Sequence, residues 1–345
     1  MKQRNGVIDF MRFIFALLVI LHHAILFHKP IIAGYIGVEF FFMVTGWLMA
    51  EKQMSSWGGQ LLSLRAFFHK AAGFYPEYLI ATLVSYILYT SFMGEQSLFS
   101  LFSDLFLLQM FGFPAVSFTG TMWYLSAMMI AFPIMSVALE YIDRRFPAIG
   151  IIVVLTIYGG YSFRYHMVGT VLDPLAGGFL QAGVLRAIAG MWLGVLLHHG
   201  SLYLRQQHLT KWGTVILTIL EIFGYVGTIY LAIHFRATAS VWDFVMTVLI
   251  ALAVCISFSK KSYLFSLFQH YWVNVLGVFS LNLFLNHFYF GVLVKIWFPT
   301  LHPDKQLIIY ILCAFLCSFV NLYLAKCLRT ILQRAGRICF SLEQT

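Results

Sequence analysis

Ten stretches of this chain are apolar for long enough to cross a bilayer, and that repetition constrains the fold more than any single residue does. They lie at 7–28, 35–51, 74–94, 121–142, 148–165, 179–199, 212–234, 239–258, 272–298 and 305–328. A helix needs about 20 apolar residues to span the hydrocarbon core. Only helices or closed barrels satisfy their backbone polar groups there. Runs of this length exclude barrel strands, so the expected fold class is all-α. The expected architecture is a polytopic membrane protein of about ten transmembrane helices, with residues 1–345 forming one membrane domain. Only 10% of the residues are charged, against about 25% in soluble proteins, and the polar stretches are only loop-sized. A shorter run at 98–113 contains Asp104 and Gln109. It is expected to be an interfacial or re-entrant helix on the outer side.

The net charge of +9 would point to nucleic acid in a soluble chain. Here it reflects basic loops facing the cytoplasm. With the N-terminus inside, Lys2, Arg4 and Arg12 fall on the cytoplasmic side, and so do most later cations, from Lys52 and Lys70 to Arg329 and Arg337. The exceptions are Lys29, Arg164, Arg186, Arg236, Lys295 and Lys305. Both termini are therefore expected in the cytoplasm. The N-terminal run has no small-residue cleavage site and reads as a retained first helix. No internal repeat of the transporter kind is visible.

The first run carries the chemistry. Eleven helical steps of about 100° each bring Arg12 and His23 onto one face, roughly 16 Å apart along the axis. A cation and an imidazole are costly in lipid, so this face is expected to line a polar cavity. Asp9 stands one turn before Arg12 and can pair with it. His22 points about 100° away from His23. In the second run, Glu39 stands at a depth similar to His23. Two roles remain open for it. It holds the imidazole in one tautomer, as an orienting carboxylate does, or it partners another cation such as Arg186. Thr45-Gly46 allows a break or close packing. Before the third run, Arg65, His69 and Lys70 either anchor the chain at the cytoplasmic surface or bind the phosphates of an anionic donor.

Other chemistries leave no trace. There is no GxSxG, HExxH, P-loop or GxGxxG. The twelve histidines lack metal-ligand spacing, and the five cysteines show no CxxC; no metal is expected. Glu221 is an intramembrane acid, either functional or a helix–helix hydrogen bond.

In order along the chain, these features resemble membrane-bound acyltransferase family 3. Asp9-x-x-Arg12 leads to His23. Gly37-Val38-Glu39-Phe40-Phe41 follows with Thr45-Gly46, threonine replacing serine. Then come Tyr75-Pro76-Glu77-Tyr78, Trp123-Tyr124-Leu125-Ser126, Arg186 through Gly190 to Gly194, and Leu285-Asn286-His287. Where the family commonly has two arginines, six and three residues before this proline, the chain has Lys70 and Gly73, leaving Arg65 and His69 as compensating cations. A glutamate common three residues beyond the tryptophan motif is replaced by Met128.

The resemblance implies transfer of an acyl group, foremost acetyl, from cytoplasmic acyl-CoA to a hydroxyl of an extracytoplasmic or lipid-linked carbohydrate. His23 would be the general base with Glu39 behind it. Arg12, Arg65 and Lys70 would hold the donor, and Trp123, Tyr124 or Asn286 would supply an oxyanion donor. Acyl-CoA would be a co-substrate, with no permanently bound cofactor. The partners would be membrane lipid, the carbohydrate and glycan-assembly proteins, with no nucleic acid. The membrane would be a bacterial cytoplasmic membrane. The rival reading is an exporter of an acylated glycan or lipid.

Overall fold

The computed structural model describes residues 4–27, 33–55, 64–112, 117–118, 120–143, 147–234 and 241–342. Lys2, Lys29, Arg144, Arg145 and Arg236 lie outside these residues, as do the side chains of Arg65 and Arg337.

The described residues form helices joined by short connections. In chain order they are α1 (Gly6–His23), α2 (Gly37–Ser55), α3 (Leu64–Ala72), α4 (Tyr75–Met93), α5 (Leu98–Leu105), α6 (Trp123–Ala138), α7 (Pro147–Tyr165) and α8 (Gly183–Gln206). They continue with α9 (Lys211–His234), α10 (Trp242–Ser259), α11 (Tyr263–Leu267), α12 (Tyr271–Asn286), α13 (Phe288–Trp297) and α14 (Pro303–Leu342). A hairpin of two-residue strands, Pro174–Leu175 with Leu180–Gln181, precedes α8.

Seven described helices are long and apolar enough to cross a membrane, and eight with the pair α12 and α13 counted as one span bent by 52°. The protein is thus a multi-pass membrane protein. Two of the ten expected spans, α2 and α4, fall outside that count. Glu39, Glu51 and Lys52 in α2, and Glu77 with the tyrosines of α4, lower their apolar character. Glu39 and Glu77 are buried against other helices; α2 is an interior helix, whereas α4 buries one face and exposes Leu83, Ile87, Phe92 and Met93.

The packing is built on small residues. α2 lies against α8, α1 against α12 and α9 against α10. At the first crossing, a Cβ on Gly46 would stand 1.8 Å from the Met191 carbonyl oxygen, and one on Gly194 would stand 2.0 Å from that of Met43. Glycine at both points lets the backbones touch.

The stretch after α4 turns back into the protein. The Tyr75 hydroxyl donates to the Leu105 carbonyl at 2.9 Å, and that of Tyr78 donates to the Asp104 carbonyl. The buried Asp104 carboxylate accepts from Gln109 at 2.8 Å and from the Phe118 amide at 2.9 Å. Asp104, the residue that interrupted the short apolar run, thus ties the segment after α5 to α4 and to Phe118. Glu221 accepts a hydrogen bond from Ser257 of α10, joining α9 to its neighbour.

Candidate active site

Arg12 and His23 open into two different cavities at opposite ends of α1. The first, about 650 Å³, is lined by Arg4, Arg12, His69 and Lys70, with Glu77 and Arg329 on its wall. Asp9 anchors its floor: Arg4 Nε donates to it at 2.8 Å and Arg12 Nη1 at 3.2 Å. The pairing expected of Asp9 and Arg12 is present, shared with Arg4. Glu77 accepts from Arg329 at 2.6 Å. The chamber therefore keeps an excess of cations. A neighbouring cavity of about 320 Å³ shares Arg4 and Arg12 and adds Arg205 and Lys260.

The second chamber, about 430 Å³, is lined by His22, His23, Tyr35, Thr121, Trp123 and Arg186, among others. Phe284 borders both chambers. Its ring packs against those of Phe41 and Tyr124, with centroids 6.1 and 5.7 Å away. A wall of aromatic rings thus separates the basic chamber from the histidine chamber.

His23 is held in one orientation. Its Nδ1 lies 2.9 Å from the Val19 carbonyl oxygen. A carbonyl only accepts, so Nδ1 carries the hydrogen and Nε2 the lone pair. His287 Nε2 stands 3.2 Å from the same Nδ1, and His287 Nδ1 lies 2.8 Å from the Phe284 carbonyl oxygen. By the same argument His287 presents a lone pair toward the His23 N–H. Both contacts therefore fix the tautomer that leaves Nε2 basic. His287 caps the break between α12 and α13, and the bend brings it to α1.

Glu39 is engaged elsewhere. Arg186 Nε donates to Glu39 Oε1 at 2.5 Å, and the Tyr158 hydroxyl donates to Glu39 Oε2. Glu39 is fully buried and Arg186 is 1% exposed. The contacts of Glu39 are those of the cation-partner reading, while the ring of His23 is positioned by Val19 and His287. Breaking a buried pair by deleting one charge costs roughly 3–5 kcal/mol. Glu39→Ala should therefore lower the stability of the detergent-solubilised protein by about that amount, as read from denaturant unfolding. An unchanged stability with a displaced pH–rate profile would return Glu39 to the orienting role.

The acyltransferase-domain family matches residues 5–326. The chain belongs to membrane acyltransferase family 3. No curated protein and no solved structure matches it.

The motifs of this acyltransferase now have positions. Tyr75 and Tyr78 of the Tyr-Pro-x-Tyr motif pin the end of α5. In the tryptophan motif, Trp123 faces the histidine chamber and Tyr124 the basic one. Ser126 donates to the Leu107 carbonyl at 2.6 Å and accepts from the Met110 amide at 3.1 Å. Of the three oxyanion donors considered, Asn286 does not line the histidine chamber: its Nδ2 donates to the Asn282 carbonyl at 2.7 Å, and its Oδ1 accepts from Tyr289 at 2.7 Å. The Arg186–Glu39 pair is one of the two roles left open for Glu39, whereas the contact of His287 with His23 is the feature that sequence reasoning did not assemble. An Asn-His pair in the middle of an apolar run was its clearest signal.

Proposed function

We propose that this acyltransferase takes an acyl group, foremost acetyl, from acyl-CoA at the cytoplasmic face. It passes the group to a hydroxyl of a carbohydrate on the opposite face of a bacterial cytoplasmic membrane. The observation that carries this reading is the pair of chambers at opposite ends of α1, one rich in cations and one holding a histidine with a free basic nitrogen. Arg12 and Lys70, with Arg4 and His69, match the phosphates of the donor through charge-assisted hydrogen bonds. The roughly 16 Å from Arg12 to His23 suits the long, thin pantetheine arm, which would thread past the ring of Phe284. The thioester then meets the hydroxyl beside His23, whose Nε2 takes the hydroxyl proton. Ten spans with both termini in the cytoplasm complete the reading: α2, α4 and the bent pair α12–α13 cross with the others.

Sealed vesicles of known orientation test it. Labelled acetyl-CoA supplied only on the cytoplasmic face should acylate an impermeant carbohydrate acceptor supplied only on the other. Transfer that requires both substrates on one side would remove the cross-membrane route.

A further inference from the structure

Arg186, which lines the chamber of His23, has a donor to spare. Its guanidinium is buried and fixed on two sides, by Glu39 at Nε and by the Tyr35 carbonyl oxygen at Nη2, 2.9 Å away. Its plane is further held near the rings of Trp123 and Tyr35, 5.3 and 6.0 Å from their centroids. The supports are themselves tied down. Glu39 accepts from Tyr158, and the Tyr35 hydroxyl donates to Asp243 at 2.8 Å. Asp243 also accepts from the Val168 amide at 2.7 Å. The third nitrogen, Nη1, is buried without a hydrogen-bond partner. Arg186 lines the same chamber as His23. An unmet buried donor costs about 1–3 kcal/mol. Its survival in an otherwise satisfied network marks a position kept for a ligand atom.

Because Glu39 already balances the arginine's charge, the chamber is not built to hold a second permanent anion. It suits an oxygen that is neutral in the ground state and negative in transit. We infer that Arg186 Nη1 is the oxyanion donor of the acyl transfer. This rests on the proposed reaction. As His23 Nε2 takes the proton of the acceptor hydroxyl, the hydroxyl oxygen forms a C–O bond to the thioester carbon. The carbonyl π pair moves onto its oxygen, and Arg186 Nη1 donates to that oxygen. When the pair returns, the C–S bond breaks, and the thiolate recovers the proton from His23. An ester and a free thiol result. A donor fixed beforehand in a buried site stabilises the transition state without reorganisation.

Arg186→Lys keeps the charge beside Glu39 but loses the fork. The purified protein is supplied with acetyl-CoA, either with a surface-glycan extract of the producing cell or with water as the only acceptor, and thiol release is followed. The variant should still fold, with a lowered melting temperature from the lost fork, and should retain its KM for acetyl-CoA. Its turnover should fall by about 10²-fold, by the same factor for both acceptors. A full rate in the variant would overturn the assignment. So would a loss confined to the glycan extract, which would make Arg186 an acceptor-binding group. If Arg186→Lys does not fold, the double variant Glu39→Gln/Arg186→Gln removes both buried charges and should show the same equal deficit. Absence of His23-dependent thiol release from the unaltered protein would instead refute the underlying reaction, and this assignment with it.

Discussion

Alanine at His23 will lower acyl transfer by about 10²- to 10⁴-fold, the range supplied by a positioned general base, while the protein still accumulates in the membrane. His23 sits at the last turn of α1, and its ring is only partly buried, facing a cavity. Removing it opens no hole in a packed core. The loss should appear in turnover, with the KM for acyl-CoA unchanged, because the cations of the donor chamber are untouched. Two further variants sharpen the result. His22 faces the same chamber, with its ring 5.5 Å from that of Tyr35, but points about 100° away from His23. His22→Ala should be the milder change. His287→Ala removes one of two supports of the His23 N–H and leaves Val19 in place. It should lower turnover to an intermediate level. Near-normal activity in His23→Ala would remove the imidazole from the chemistry altogether.

The contrast between these histidines shows where sequence reasoning stops. The shared face of Arg12 and His23 follows from helical periodicity within one segment, and the Asp9–Arg12 pairing from a one-turn spacing. Both relations are local, so they survive into the structure. His287 lies 264 positions from His23 and reaches it only through the bend of 52° between α12 and α13. No periodicity encodes that angle. The same holds for Glu39. Its acidity inside an apolar run marked it as a residue in need of a partner, but the choice between His23 and Arg186 depended on which helix packs beside α2. Hydropathy likewise counted α2 and α4 as spans on their apolar stretches alone. Their buried acids, Glu39 and Glu77, weaken that apolar signal and turn toward neighbouring helices. The segment around α5 was legible as a polar interruption, because Asp104 had to find donors. That Tyr75 and Tyr78 would brace it from α4 was not.

The partner choice of Glu39 depends on glycines, and that yields the second large effect. Gly46 of α2 meets the backbone of Met191, while Gly194 of α8 meets that of Met43. Gly190 stands one turn before Gly194, where a Cβ would lie 2.7 Å from the Phe42 Cβ and 3.1 Å from Glu39 Oε2. These contacts set the separation of α2 and α8, and so the 2.5 Å reach of Arg186 to Glu39. A Cβ at position 46 meets a backbone oxygen, which no rotamer change can clear. Gly46→Ala must therefore push the helices apart. Overpacking costs about 1–3 kcal/mol and sometimes more. Here the displacement also loosens a buried ion pair, so the effect should lie at the upper end, about 3 kcal/mol. The expected result is a sharp fall in monodisperse protein on size-exclusion chromatography and a lower midpoint of thermal unfolding. The fraction that folds should lose activity as well, because Arg186 lines the histidine chamber and Glu39 holds it there. Gly159 and Gly160 of α7 supply the control, since a Cβ at either meets nothing within 4 Å. Alanine there should leave yield and activity intact and favour the helix by up to about 1 kcal/mol. If Gly46→Ala unfolds at the same midpoint as the parent while Gly159→Ala behaves as expected, close approach of α2 and α8 does not hold the site together.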